Sequence, residues 1–510
     1  MLQTKDYKHF RVGSAEFDGA NLASRALPGD KVRVDMGQVI EIVERAKHQH
    51  IVGTLELASK VRYGITSHGY PIYSFVPFAE SYPPFFVGCS QKDVSQNVLA
   101  IVDFNHWDTG TCPRGNLARI IGPAGDMAAE EEALALHASP LRWKKLEPLV
   151  EPPEIADRAT GITFHVDPPG CRDIDDAITL NPLPGFNIGV KIHIADVSSW
   201  LVANPWLVEK AEAIGQTLYR DGAVIKPMFP AELSEDTFSL LPGKDRRAWT
   251  LSFIWNTALK CVSGITWSLE MIRVSQSFTY HSVAKSMLAK ELEEICSGLA
   301  GRPVTDSHEW IEQLMIFYNC EAAKLLYKTE TGVLRRHAAP DEARFAAYEA
   351  AGLPAKRLAM SAGEYCSSGE LDVKHWGLGQ DFYCHASSPI RRWSDCLNQL
   401  AIRRQILGEE NLPIRQPMID LLNARSKAVK AYERDLQFMR AVLGGLKEVE
   451  GQIAEEGRVW VPTWGRIVKA QTAGPPGTAV KLKFFCDATK RNWKRRMVLN
   501  VVYLDLVQTI

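Results

Sequence analysis

The stretch that most restricts what this chain can become is DPPGCRDIDD, residues 167–176. Asp167, Asp173, Asp175 and Asp176 stand within ten residues of each other, beside two prolines, a glycine and one cation, Arg172. Carboxylates at this density repel, so a chain that draws them together must supply a counter-charge. A hard divalent cation is the simplest one, because such ions take oxygen ligands and Mg2+ keeps waters while phosphate completes its shell. Two such ions can activate a water and stabilise the leaving oxygen of a phosphodiester. The D-x-D-x-D-G run and closing glutamate of an EF-hand are missing. Taken alone, the stretch leaves open a solvated turn whose aspartates cap backbone amides.

The rest of the chain is that of a folded protein. Its 510 residues allow about two to four domains. With 46% hydrophobic and 23% charged residues it is neither disordered nor fibrous. Lys and Arg number 59 against 60 Asp and Glu, a net charge of −1, so any basic surface must be local. Ten scattered cysteines without a CxxC pair predict reduced thiols in a cytosol-like compartment. The start, MLQTKDYKHFRVG, lacks the apolar core of a signal peptide, and Asp6, Glu16 and Asp18 argue against a transit peptide. No apolar run has the length to span a bilayer. The expectation is a cytoplasmic protein with no membrane partner.

Up to about residue 150, the runs DKVRVDM, QHIVGTLEL, YPIYSFVPF and NVLAIVDF alternate with turn signals, as in small antiparallel barrels. GDMAAEEEALALHA reads as a closing helix or linker. GITFHVD alternates Ile162, Phe164 and Val166, and NIGVKIHIAD alternates Ile188, Val190, Ile192 and Ile194, which predicts half-buried strands. Helices then dominate; Ile390, Trp393, Leu397, Leu400 and Leu407 mark one helical face. The last sixty residues or so return to short strands around GPPG. The domains expected are 1–150, 151–450 and 451–510.

The segment YCHASSPIRRWSD, residues 383–395, bears on the acidic stretch. Its pattern predicts Ser388 as N-cap, Pro389 at the first helical position, and Arg391 and Arg392 in the first turn. Cations there oppose the helix dipole unless an anion arrives. A phosphate would meet both backbone amides and a guanidinium fork. The alternative is an ion pair from Arg391 or Arg392 to an acid such as Asp395. Acids that gather metal, with arginines set for phosphate, predict a phosphodiesterase.

At these residues the chain resembles the ribonuclease II/ribonuclease R family of RNB-domain 3′–5′ exoribonucleases, and more closely its eukaryotic exosome-type branch. VDPPGCRDIDDAITL, IHIADVSSWL, PMFPAELSEDTFSLLPG, RVSQSFTYHSV, IEQLMIFYNCEAAKLL, LRRHAAP and HWGLGQDFYCHASSPIRRWSD occur in family order over about residues 158–405. The resemblance implies a multidomain α/β fold: N-terminal cold-shock-like OB barrels (one complete, with a remnant of a second), a central mixed α/β RNB domain, and a small C-terminal OB barrel. It implies metal-dependent hydrolysis of single-stranded RNA from the 3′ end to nucleoside 5′-monophosphates, with one or two Mg2+ ions that Mn2+ can replace. By the same resemblance Asp167, Asp173, Asp175 and Asp176 are the metal and water-positioning carboxylates. Arg391 stabilises charge on the scissile phosphate, Tyr219 stacks on the terminal base, and Glu312 contacts the nucleotide; Ser388 and Arg392 are expected to bind RNA as well. The partner expected is single-stranded RNA, with the protein either in an RNA-decay complex or monomeric.

Residues 457–500 carry ten Lys and Arg, among them Lys494, Arg495 and Arg496, against Asp487 alone. Interleaved Trp460, Trp464, Phe484, Phe485 and Trp493 suggest an RNA-binding face on a small barrel. Against the family pattern, Gln313 stands where a second glutamate is usual and Trp393 where tyrosine is usual. The stretch from Tyr280 to Trp310 is also shorter and is expected to lack a strand pair that helps clamp RNA. The competing function is an RNB-type protein that grips RNA with weak cleavage or none.

Overall fold

The fold is that of a computed structural model describing residues 1–139, 143, 146–409, 414–444, 448–472, 474–486 and 497–503, with 484–486 and 497–503 described as backbone only. The chain divides into two compact units. One comprises 1–140, 345–358 and 430–510; the other comprises 141–344 and 359–429.

In the first unit, the strands Ile51–Leu55, Ile72–Pro77, Phe85–Gly88, Val98–His106 and Arg114–Pro123 close into a barrel. Leu55, Phe75, Phe85, Val87, Ala100 and Val102 fill it. Barrel closure leaves no free strand edge there. Before the barrel lie a three-stranded sheet and the hairpin Lys31–Asp35/Gln38–Glu44, which remain open. Asp30 ties this region together: it is fully buried and accepts from the Leu27 and Ala46 amides, Arg45 and His48 at 2.8–2.9 Å. The acidic stretch forms the helix Met127–Ala138, N-capped by Asp126. The C-terminal part is a five-stranded antiparallel sheet running Arg466–Lys469, Arg458–Val461, Glu448–Glu455, Ala479–Cys486, Met497–Tyr503.

The second unit is built on a six-stranded sheet in the order Cys261–Arg273, Asp245–Asn256, Asn187–Ala195, Asp176–Leu183, Ile162–Val166, Gln276–Phe278. Neighbours are antiparallel except the last pair, which is parallel. The strands differ from the simple alternation expected of them. Ile162 is exposed, while Phe164, His165 and Val166 are all buried, and Asn187–Ala195 alternates only over its first half. The second face is filled by a polar row across four strands: Thr163 to Thr179 at 2.7 Å, Thr179 to His193 at 2.9 Å, and His193 to Thr250 at 2.8 Å. Burial lowers His193 to about 3, so it is a neutral structural group.

The helix Ser307–Lys328 packs on the sheet through Trp310, Leu314, Tyr318, Ala322 and Leu326, a ridge at spacing four. Gly298, in the helix Ala289–Ala300, seats the Trp255 ring; a Cβ there would lie 2.0 Å from it. Residues 281–306 form helices and turns. The multidomain α/β architecture is therefore as expected. Among the described residues no helix is long and apolar enough to cross a membrane.

Candidate active site

Strand register brings the first pair of carboxylates together. Thr163 faces Thr179 and Phe164 faces Ile178, and of these two antiparallel strands one ends at Val166 and the other begins at Asp176. Asp167 follows Val166 and is held by its amide on the Phe278 carbonyl at 3.1 Å. Its Oδ2 lies 2.8 Å from His165 Nδ1, while His165 Nε2 lies 2.9 Å from Ser277 Oγ. The loop between the strands carries Asp173, which accepts from the Tyr219 hydroxyl at 2.9 Å and the Cys171 thiol at 3.6 Å. Asp175 is buried, accepts from the Ile390 amide at 2.9 Å, and meets Arg391 Nε at 3.4 Å. No hydrogen bond from a described residue reaches the Asp176 carboxylate.

The arginine segment departs from its expected conformation. Ser388–Arg391 is a turn, and the helix Trp393–Leu407 begins later, with Arg392 as its N-cap. Asp395 explains the shift. This fully buried carboxylate accepts from the Ser388 amide at 2.8 Å, from Arg392 Nη2 at 2.9 Å and from Ser394 Oγ at 2.9 Å, pulling the segment back on itself. Arg392 is thereby drawn inward to an acid. Arg391 is the freer cation: its side chain is 46% exposed, and Nη2 donates to Ser388 Oγ at 3.0 Å. Backbone pairing fixes this segment against Gly215–Thr217, with the Thr217 amide on the Arg391 carbonyl and the Trp393 amide on the Gly215 carbonyl, each at 2.9 Å. Tyr219 follows two residues on. Of the apolar face expected here, Trp393 and Leu397 are buried, but Leu407 is 43% exposed at the helix end.

These groups line a cavity of about 800 Å3, together with Tyr219, Tyr280, His308, Glu312 and Asn319. Its electrostatics are unbalanced. Burial pushes the Asp175 carboxyl up to about 7, against the opposing pull of Arg391 and the Ile390 amide. Burial, then Asp167 and Asp175, raise Asp176 well above the ordinary carboxylate range. Arg172 does not compensate, since it points to Glu235 at 3.6 Å and is 76% exposed.

Such a site lacks positive charge. Among the described residues no three His, Cys, Asp or Glu converge as a ready-made metal cage. The donor set instead fits a hydrated hard ion held by one or two carboxylates, the manner in which Mg2+ binds. Among the described residues, none hydrogen-bonds the Asp176 carboxylate or Asp167 Oδ1.

The structure brings together Asp167, Asp173, Asp175, Asp176, Tyr219, Glu312, Ser388, Arg391 and Arg392. Lys494, Arg495 and Arg496 lie outside the described residues. Of the other C-terminal cations, Arg458 pairs with Glu455 at 2.7 Å, and Arg466 turns onto the Phe438 and Trp464 rings. Sequence reasoning missed His165, Tyr280, His308 and Asn319. Period two in HVD could have placed His165 beside Asp167. Asn319, a buried amide on its helix, accepts from the Ala386 amide and donates to Ser387 Oγ. The Tyr280 and His308 rings stack with centroids 3.8 Å apart, a contact no local pattern announces.

The model of the RNB domain matches residues 157–299, and that of the Dis3-like cold-shock domain 2 matches 72–139. Arg391 lies beyond both matches and reaches the site by geometry. Over 457 residues the chain is 24% identical to exosome complex exonuclease RRP44 homolog A of Arabidopsis thaliana, covering 70% of this chain and 48% of the relative. Over 409 residues it is 25% identical to exosome complex exonuclease dis3 of Schizosaccharomyces pombe, covering 60% and 41%. The chain spans about half the length of these curated relatives. RNase R of Mycoplasma genitalium, in complex with ribose-methylated single-stranded RNA, superposes with a TM-score of 0.73 at 15% identity, over 97% of this chain and 98% of that one. Yeast Ssd1, described as a pseudonuclease, superposes with a TM-score of 0.68 at 14% identity, over 96% and 80%. The fold is thus common to a nuclease and a pseudonuclease.

Proposed function

Since the chain belongs to the RNB family, on its exosome-type branch, we propose that it is a hydrolytic, metal-dependent 3′–5′ exoribonuclease that shortens single-stranded RNA to nucleoside 5′-monophosphates. The observation that carries this reading is the under-compensated carboxylate cluster facing a half-exposed Arg391 in one cavity.

The chain's own residues divide the work. Arg391 keeps donors free toward the cavity after bonding Ser388, so it can meet a scissile phosphate as negative charge develops on its oxygens. Asp175 orients Arg391 and fixes the turn that presents it. Asp173 holds the Tyr219 hydroxyl, which sets the ring edge and leaves its face for a nucleobase, a sequence-tolerant contact. Glu312, exposed on its helix, is placed to accept from a ribose hydroxyl, the group that distinguishes RNA from DNA. Mg2+, as one ion or a pair held by Asp167 and Asp176 with Asp173 and Asp175 close by, would supply a water of lowered pKa and neutralise phosphate charge. The relatives' exosome names support a place in an RNA-decay assembly.

A second reading, RNA gripping without cleavage, draws on the likeness to Ssd1. Retention of all four aspartates and Arg391 favours the first. A 5′-labelled single-stranded RNA separates the two readings. Stepwise shortening from the 3′ end, abolished by EDTA and by Asp176→Asn, supports the hydrolase; tight binding without product supports the gripping protein.

A further inference from the structure

The helix Ser307–Lys328 forms a partition. Its residues Glu312 and Ile316 line the catalytic cavity and also a second cavity of about 380 Å3, and Leu378 is likewise common to both. The second cavity is lined by the neighbouring stripe of the same helix, through Gln313, Phe317, Cys320, Glu321 and Lys324, together with Arg302 just before the helix. This spacing of three and four belongs to one helical face, turned from the face that meets the carboxylates. Glu312, Ile316 and Leu378 thus border both spaces.

We propose that this second cavity takes the nucleoside 5′-monophosphate product as it leaves the carboxylate cluster; the proposal rests on the hydrolase reading above. Hydrolysis adds a water oxygen to phosphorus, breaks the bond to the 3′ oxygen of the shortened RNA, and gives that oxygen a proton. A diester with a single negative charge thereby becomes a monoester carrying about −1.5 to −2 near neutral pH. The product thus carries more negative charge than the diester it came from, which favours its passage from an acidic site to one where charge is balanced. The adjoining cavity sets two cations, Arg302 and Lys324, against two acids, Glu312 and Glu321, so its charge is balanced where that of the first is acidic. Arg302 pairs with Glu309 at 3.0 Å and Lys324 with Glu321 at 2.5 Å. The two cations are 55% and 56% exposed, and ion pairs so open to solvent are weak enough for either cation to turn to a phosphate. Gln313 adds an amide without a charge, and Phe317, Ile316 and Leu378 offer apolar surface to a base. The volume lies within the range of small-ligand sites.

The test compares wild type with Arg302→Gln/Lys324→Gln and, separately, Gln313→Glu, which adds a repelling charge without removing a cation. Inhibition by added adenosine 5′-monophosphate is measured alongside single-turnover cleavage of a labelled RNA. Both variants are expected to weaken inhibition about tenfold or more while single-turnover cleavage stays at the wild-type rate. Inhibition unchanged in both variants, or lost only with Tyr219→Ala, would overturn the proposal. If wild type cuts no RNA, the hydrolase reading has failed, and equilibrium dialysis with labelled adenosine 5′-monophosphate decides the cavity alone. Binding weakened by the same variants upholds it, and no binding refutes it.

Discussion

The Asp175 carboxylate accepts a hydrogen bond from the Ile390 amide at 2.9 Å, joining positions 215 residues apart. Two positions earlier, the Ser388 amide is held by Asp395 at 2.8 Å. The turn that presents Arg391 is therefore gripped by two buried carboxylates, one from each half of the site.

Asp395→Ala should expose this arrangement. Arg392 would lose its partner while its guanidinium stays largely buried, at 18% exposure. Stability should fall by roughly 3–5 kcal/mol, the usual cost of stranding a buried charge, as read from urea unfolding. A change near zero would mean that Arg392 finds water or another acid.

The metal-free protein should become less stable as pH rises. The Asp175 carboxyl moves from 3.8 to about 7 on folding, so between these values the folded state holds a proton that the unfolded chain has released. Stability is therefore lost as pH climbs through that window and is lowest above it. In EDTA, Tm should fall between about pH 4 and pH 7, and Asp176→Asn should raise Tm at the upper end. Mg2+ should raise wild-type Tm more at the upper end than at the lower. A Tm that climbs across the same range would contradict the raised carboxyls.

Arg391→Ala should lower the single-turnover rate about 10²–10³-fold, with a smaller effect on RNA affinity. Arg391→Lys should recover only part, because an ammonium cannot reproduce the fork that meets Ser388 and a phosphate together. Equal losses in rate and affinity would place Arg391 in ground-state binding instead.

Tyr219 carries two functions that two substitutions separate. Tyr219→Ala should weaken RNA binding by about 1–3 kcal/mol, measured by filter binding. Tyr219→Phe should keep the stack but free one oxygen of Asp173, changing the Mg2+ dependence of cleavage rather than affinity. A Phe variant as weak as Ala would make the hydroxyl the important part.

Asp30 gives a test in the first unit. Burial works to raise this carboxyl, but bonds from His48 and the Leu27 and Ala46 amides, with Arg45 nearby, outweigh it and hold it low. Its stabilisation is thus present above the ordinary carboxylate pKa and lost as pH falls through the lowered one. Asp30→Ala should destabilise this unit by about 3 kcal/mol or more, with earlier loss of protection in hydrogen exchange of the barrel strands. Unaltered protection would separate Asp30 from the barrel's stability.

What the sequence determined by itself was mostly local. The short apolar runs YPIYSFVPF and NVLAIVDF, set between turn signals, announced strands because so short an apolar run bounded by turns fits a buried strand. The crowding in DPPGCRDIDD announced a missing positive charge, since like charges cannot gather without one. SPIRRW announced an arginine set for a phosphate but misjudged where its helix begins. Helix-start rules weigh nearby residues, whereas Asp395 and Asp175 redirect that turn through hydrogen bonds reaching seven and 215 residues away. The tertiary structure alone decided which arginine faces the cavity and which is spent inside the protein. It also decided that the Asp176 carboxylate has no hydrogen-bond partner among the described residues, and that one helix lines two cavities. These outcomes depend on distances between segments far apart in the chain, and such distances exist only once the sheet register and the packing of the helix Ser307–Lys328 have set them.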